Sequence, residues 1–216
     1  MTNQLLINGK INLKFGFVLT LFLALFLVPV TYAEEIVKWE FTGNSTPSPD
    51  NGASATTVGI ETTTPITNSW IAKNWTTGIE RDENKYFQFH VDLTGYSAIN
   101  LTFRDKRTTS GPQKSEIYYS IDGTNFNPEG TTNVVADTYQ SHNFDLSGIT
   151  VLNNANSVDF RFYGYEATGN TGKWFIDDVT FTGTPLQPPN VPTGLAASVT
   201  SETQIDLSWT DGSNNE

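Results

Sequence analysis

The chain has 216 residues, 37% hydrophobic and 12% aromatic, with 14 Phe, 8 Tyr and 5 Trp against a single Met and no Cys. That is apolar material for one full core and part of another; it excludes disulfides as the stabilising device, and the aromatic, Thr, Asn and Gly content favours strands and turns over helices. A formal net charge of −11 excludes a nucleic-acid backbone as partner, which needs clustered Lys and Arg, and suits extracellular solubility and cation binding.

Residues 1–33 read as a signal peptide. Lys10 and Lys14 precede the apolar run Phe15 to Val30, Pro29 interrupts it, and Thr31-Tyr32-Ala33 puts small residues at the two positions a signal peptidase reads. The run falls short of the roughly 20 residues that span a bilayer. Cleavage is expected before Glu34, which limits membrane contact to the leader during export. Both leader lysines are then lost, and the remaining chain carries −13.

Ile36 to Phe41 alternates Val37, Trp39 and Phe41 against Lys38 and Glu40, a half-buried first strand. Thr42 to Thr57 is dominated by Gly, Asn, Ser, Pro and Asp, with Asn51-Gly52 as a turn signal, and reads as a long loop. Thr62 to Gly78 holds Trp70 and Trp75 in an irregular stretch with room for one short strand. Tyr86 to Leu93 and Ala98 to Arg107 are clear period-two strands joined through Gly95. In the first, Phe87, Phe89, Val91 and Leu93 oppose Tyr86, Gln88, His90 and Asp92.

After the Gly111-Pro112 break, Lys114 to Ile121 sends Ile117, Tyr119 and Ile121 to one face and Glu116, Tyr118 and Ser120 to the other. Asp122-Gly123 suggests a two-residue hairpin turn. Further strands are expected at Asn133 to Ala136, His142 to Leu146 and Val158 to Tyr165. In Lys173 to Gly183, Trp174 and Ile176 share a face but Val179 and Phe181 are one residue out of step, which predicts a β-bulge at Asp177-Asp178. About ten strands without a helical period predict an all-β, antiparallel sandwich over residues 34–183.

Gly183 to Pro192 contains four prolines in ten residues, which sets residues 184–191 apart as a semi-rigid linker. Two more alternating strands follow, with Leu195, Ala197, Val199, Ile205, Leu207 and Trp209 expected to face inward. Val191-Pro192-Thr193-Gly194-Leu195 and Thr203 to Trp209 resemble the start of a fibronectin type III domain, in the entry Pro, the first-strand Leu and the second-strand Trp. The resemblance covers residues 192–216, two of about seven strands, and implies a longer multidomain parent or a truncated gene.

Residues 34–183 resemble, in order of features, the jelly-roll sandwiches of secreted bacterial proteins, relatives in architecture of carbohydrate-binding modules and MAM-type adhesion domains. Tyr86-Phe87-Gln88-Phe89, Ser110-Gly111-Pro112, Tyr118 to Gly123, Phe160 to Gly164 and Trp174 to Val179 carry the resemblance. It implies a jelly-roll-like fold and ligand binding without naming the ligand. It also implies a structural Ca²⁺ near the acidic end of the last strand, where Asp177, Asp178 and Glu40 are the candidate oxygen ligands. The plainer alternative is that one Asp caps a turn or pairs with a cation while the other is solvated.

Tyr86, Tyr118, Tyr163 and Tyr165 all point away from the face their apolar neighbours define. Were their strands adjacent, they would form an aromatic strip edged by Gln88, His90, Arg104 and Arg161, the chemistry a sugar ring requires. Outward tyrosines that merely pair across strands are the alternative. Trp70 and Trp75 are read as plugs at the end of the sandwich, with ligand contact as their alternative, and His90 as a surface histidine. No catalytic motif is present, and His90 and His142 are the sole histidines. The expectation is an extracellular, non-catalytic binding module for a polysaccharide or cell-surface glycan. A structural or adhesion spacer that binds protein partners is the second reading, and an accessory domain of a hydrolase a distant third.

Overall fold

The computed structural model describes residues 32–43, 52–63, 68–134 and 136–213. The signal-peptide expectation falls almost wholly outside them. Thirteen strands are assigned: β1 Glu34–Trp39, β2 Ser54–Val58, β3 Glu61–Thr63, β4 Trp70–Lys73, β5 Tyr86–Val91, β6 Tyr96–Arg107, β7 Lys114–Ser120, β8 Asn127–Asn133, β9 Gln140–Asp145, β10 Val158–Tyr165, β11 Trp174–Pro185, β12 Thr193–Ser201 and β13 Gln204–Thr210. One turn of 3-10 helix, Thr150–Leu152, precedes β10.

Two antiparallel sheets form a jelly-roll-like sandwich. The six-stranded sheet runs β3-β4-β11-β6-β9, with β1 also paired to β11, and the five-stranded sheet runs β2-β5-β10-β7-β8. Strand β11 takes β4 along Trp174 to Ile176 and β1 along Val179 to Gly183. The bulge between them makes that division possible. Register shifts between Asp177 and Thr180, and Asp178 sits at φ 50°. One absorbed residue returns Val179 and Phe181 to the face of Trp174 and Ile176, and all four are fully buried.

Period-two patterning places the core between the sheets. Phe87, Phe89 and Val91 of β5, Ile99 and Leu101 of β6, and Phe160 and Phe162 of β10 are all sealed from solvent. Their rings interlock across the gap, with Phe160 and Phe181 centroids 4.6 Å apart, Phe103 and Phe162 5.0 Å, and Trp39 and Phe89 5.1 Å. Each such side chain contributes about 1.5–3 kcal/mol by leaving water. Trp70 and Trp75 belong to this core, as expected of plugs. Trp75 lies 5.1 Å from Trp174 and donates its indole N–H to the Ala72 carbonyl at 3.0 Å.

Several local expectations are corrected. Ser54–Val58 begins inside the stretch read as loop and runs one residue past its end, and it pairs with β5. The strand expected at Asn133 to Ala136 starts instead at Asn127 and ends at Asn133. Both are polar sheet edges whose ladder comes from a neighbour and not from apolar alternation. The link after β7 spans 121–126 and is no two-residue turn. Asp122 organises it, its Oδ1 accepting from the backbone N–H of Thr124 at 2.9 Å and of Asn125 at 2.7 Å. Ile121 is thereby turned outward, 48% exposed. Strands β12 and β13 do pair, Val199 opposite Ile205 and Ala197 opposite Leu207. Every residue of both is exposed, contrary to the inward facing expected of their apolar side.

Candidate functional site: the outer face of the five-stranded sheet

Strands β5, β10 and β7 are neighbours, so their outward residues meet in rows. Tyr163 stands opposite Tyr86 on one side and Glu116 on the other; Arg161 stands opposite Gln88 and Tyr118. Tyr86 and Tyr163 pack edge to face at 5.4 Å, and Tyr118 meets Tyr163 the same way at 5.5 Å. Tyr165 joins the row through its hydroxyl, which donates to Glu116 Oε1 at 3.3 Å. The four predicted tyrosines therefore share one face.

They are not a bare platform. Tyr163 is 1% exposed and Tyr86 and Tyr165 are 8% exposed. The cover is partly cationic. Arg81, from the link between β4 and β5, places its guanidinium 4.2 Å from the Tyr118 ring centre and 5.4 Å from that of Tyr163. It is held there by Glu116 at 2.8 Å and Glu83 at 2.7 Å. Arg161 lies over two rings, 4.2 Å from Tyr86 and 3.6 Å from Phe126, and its Nε donates to Gln88 Oε1 at 2.8 Å. His90 Nδ1 and Asp159 Oδ1, 2.9 Å apart, complete the next row.

Two open hollows adjoin the strip and share Glu116. One is lined by Ile79, Glu80, Arg81 and Glu83; the other by Tyr118, Pro128, Glu129, Gly130 and Thr131. The second draws its apolar lining from the partly buried Tyr118 ring and Pro128 and its polar lining from Glu116, Glu129 and Thr131. Burial, with Asp145 nearby, pushes the Glu129 carboxyl above its ordinary range. Burial also raises the phenols of Tyr118, Tyr163 and Tyr165, against the pull of Arg81 on Tyr118 and of Arg161 on Tyr163. The Tyr163 hydroxyl has no hydrogen bond of good geometry.

Sequence reasoning missed Arg81, Glu83, Phe126, Pro128 and Glu129, which come from links and an edge strand without periodicity. Glu116 was legible, because it alternates onto the face of Tyr118.

Arg104 does not belong to this strip and is corrected. It projects from β6 on the outer side of the other sheet, where Nη2 meets Asp177 Oδ2 at 2.5 Å and Nε meets Asp178 Oδ2 at 2.9 Å. Lys38 continues the chain of charges to Asp178 at 3.3 Å and to Glu40 at 2.9 Å. The three acids expected to hold Ca²⁺ are thus held by two cations, and no group of three or more metal-ligating side chains occurs among the described residues. Asp177 is 1% exposed, so its charge needs a counter-charge at close range, and Arg104 supplies it. The face of the Tyr139 ring lies against Arg104 at 4.9 Å and Lys106 at 4.6 Å.

A second buried acid, Asp105, accepts from the Trp174 indole at 2.9 Å and lies 2.8 Å from His142 Nε2. Both histidines of the chain are therefore paired with an aspartate.

No family model matches the chain, and no curated protein matches it. The solved structures to which it is similar include carbohydrate-binding modules. A mutant module of family 29 is 13% identical, with a TM-score of 0.47, over 70% of this chain and 87% of that one. Another mutant of that family, complexed with cellulohexaose, is 16% identical, with a TM-score of 0.44, over 71% and 92%. A xylan-binding domain of family 22 from Paenibacillus barcinonensis is 9% identical, with a TM-score of 0.47, over 73% and 99%.

Proposed function

We propose that the chain is an exported, non-catalytic module that binds polysaccharide on the outer face of the five-stranded sheet. The observation that carries this reading is the side-by-side placement of the ring of Tyr118, Pro128 and the carboxylates of Glu116 and Glu129 around one open hollow. A sugar ring presents an apolar face and a belt of hydroxyls. The hollow offers apolar lining from Tyr118 and Pro128 and acceptors from Glu116 and Glu129. The buried tyrosines and their arginines hold that surface rigid, so little side-chain entropy is lost on binding.

The charged, apolar and small-residue order of residues 1–33 supports export. The exposed apolar side of β12–β13, which resembles the opening of a fibronectin type III domain, favours a second reading: an adhesion or spacer module that contacts protein partners. A glycan array probed with the full chain separates the two. Binding to a polysaccharide that falls at least tenfold in Tyr118→Ala, with the fold retained by circular dichroism, supports the first. Absence of binding to every glycan overturns it.

A further inference from the structure

Among the described arginines, Arg161 differs in what its charge meets. Arg81 and Arg104 each have two carboxylates, and Arg107 gives its N–H groups to the carbonyls of Val134, Thr108 and Thr109. Arg161 has no carboxylate and no carbonyl. Its Nε is taken by the side-chain oxygen of Gln88, its plane lies over Tyr86 and Phe126, and apart from the neighbouring Tyr163 hydroxyl no acceptor meets its two terminal nitrogens among the described residues. A guanidinium fixed by two rings and a glutamine, with terminal N–H groups that meet no acid, is preorganised for a bidentate acceptor. In a chain of 23 acidic and 12 basic residues, leaving such a cation without an acid is the unusual choice.

We infer that Arg161 is the receptor for a carboxylate on the bound glycan, so that the module selects hexuronic acid residues. This rests on the glycan-binding reading of the same face and adds the substrate class to it. Charge limits what carries the carboxylate. The net charge of −11 opposes a dense polyanion, whereas a single uronate is governed by the groups within a Debye length of about 8 Å at physiological salt. Around Arg161 those include Gln88 and Tyr118 as its cross-strand neighbours, while Asp159 is engaged by His90 and Glu116 by Arg81. The expected ligand is therefore a largely neutral chain bearing isolated uronates.

The test is a panel of matched polysaccharides on several backbones, each containing glucuronic or galacturonic acid, and each compared with its carboxyl-reduced counterpart, titrated against the full chain. At least one uronate polymer should bind about ten- to a hundredfold more tightly than its reduced form. Arg161→Gln should erase that difference, and Gln88→Ala, which keeps the charge but frees its orientation, should narrow it. Equal binding within every pair overturns the inference and leaves glycan binding standing. Preference for a uronate that persists in folded Arg161→Gln overturns it as well. Binding to neither member of any pair overturns both readings.

Discussion

Arg81 sets its guanidinium 4.2 Å from the centre of the Tyr118 ring while Glu116, two residues before Tyr118, grips the same guanidinium at 2.8 Å. One link residue thus ties the segment before β5 to the middle of β7. Arg81→Ala should lower stability by about 1–2 kcal/mol, the sum of a partly buried cation–π contact and a screened ion pair. It should also open the Tyr118 ring to nitration. Urea unfolding together with mass spectrometry of the nitrated chain checks both; unchanged stability and reactivity would count against the contact.

Asp105 is fully buried and serves the Trp174 indole and His142 at once. Asp105→Ala leaves a buried N–H without acceptor and should cost about 3–5 kcal/mol. Trp174→Phe removes the donor but also leaves part of the carboxylate unpaired. A double-mutant cycle by chemical unfolding should therefore give a coupling of about 1–3 kcal/mol, and additive effects would contradict the network.

Gly172 lies so close to the Ser110 carbonyl that an added Cβ would overlap backbone. Gly172→Ala should cost about 2–4 kcal/mol, because neither strand connection can yield as a side chain can. A melting temperature within a degree of the parent would refute the close approach.

Tyr118, Tyr139, Tyr163 and Tyr165 all have phenols raised by burial above the ordinary value of 10.0. A group whose folded-state pKa is raised contributes stability that is complete below its unfolded pKa and is lost as pH rises through the folded one. Stability should accordingly decline from about pH 10 upward. Tyrosinate absorbance of the folded protein should show these four phenols ionising above the ordinary value. Ionisation of these four at the ordinary value in the folded protein would oppose this.

Arg104 is the close counter-charge of buried Asp177 and also meets Asp178. Arg104→Ala should destabilise by about 2–4 kcal/mol by leaving that acid uncompensated. With Arg104 and Lys38 in place, millimolar Ca²⁺ or a chelator should leave the melting curve of the parent unchanged. A rise of several degrees with Ca²⁺ would show that the cation displaces these pairs.

Period-two alternation was enough to read β5, β6, β7, β10 and β11, and the phase slip at Asp177-Asp178 was enough to read the bulge. Burial on one face imposes that pattern on any strand that packs on a core, so it is written in Phe87, Phe89, Phe160, Phe162 and Phe181 regardless of partner. The outward direction of Tyr86, Tyr118, Tyr163 and Tyr165 follows from the same alternation. Edge strands β2 and β8 escaped it, since an edge owes its hydrogen bonds to a neighbour and needs no apolar face.

Tertiary structure alone decided which outward residues meet. Strand order put Tyr118 beside Arg161 and sent Arg104 to the opposite sheet, where the bulge acids claimed it. It also swung Arg81 from an irregular link onto Tyr118 and Tyr163, and Phe126 from another onto Arg161. A sequence records which side of a strand a residue occupies, because that depends on local geometry; it does not record the neighbouring strand, because that depends on how distant segments share one core.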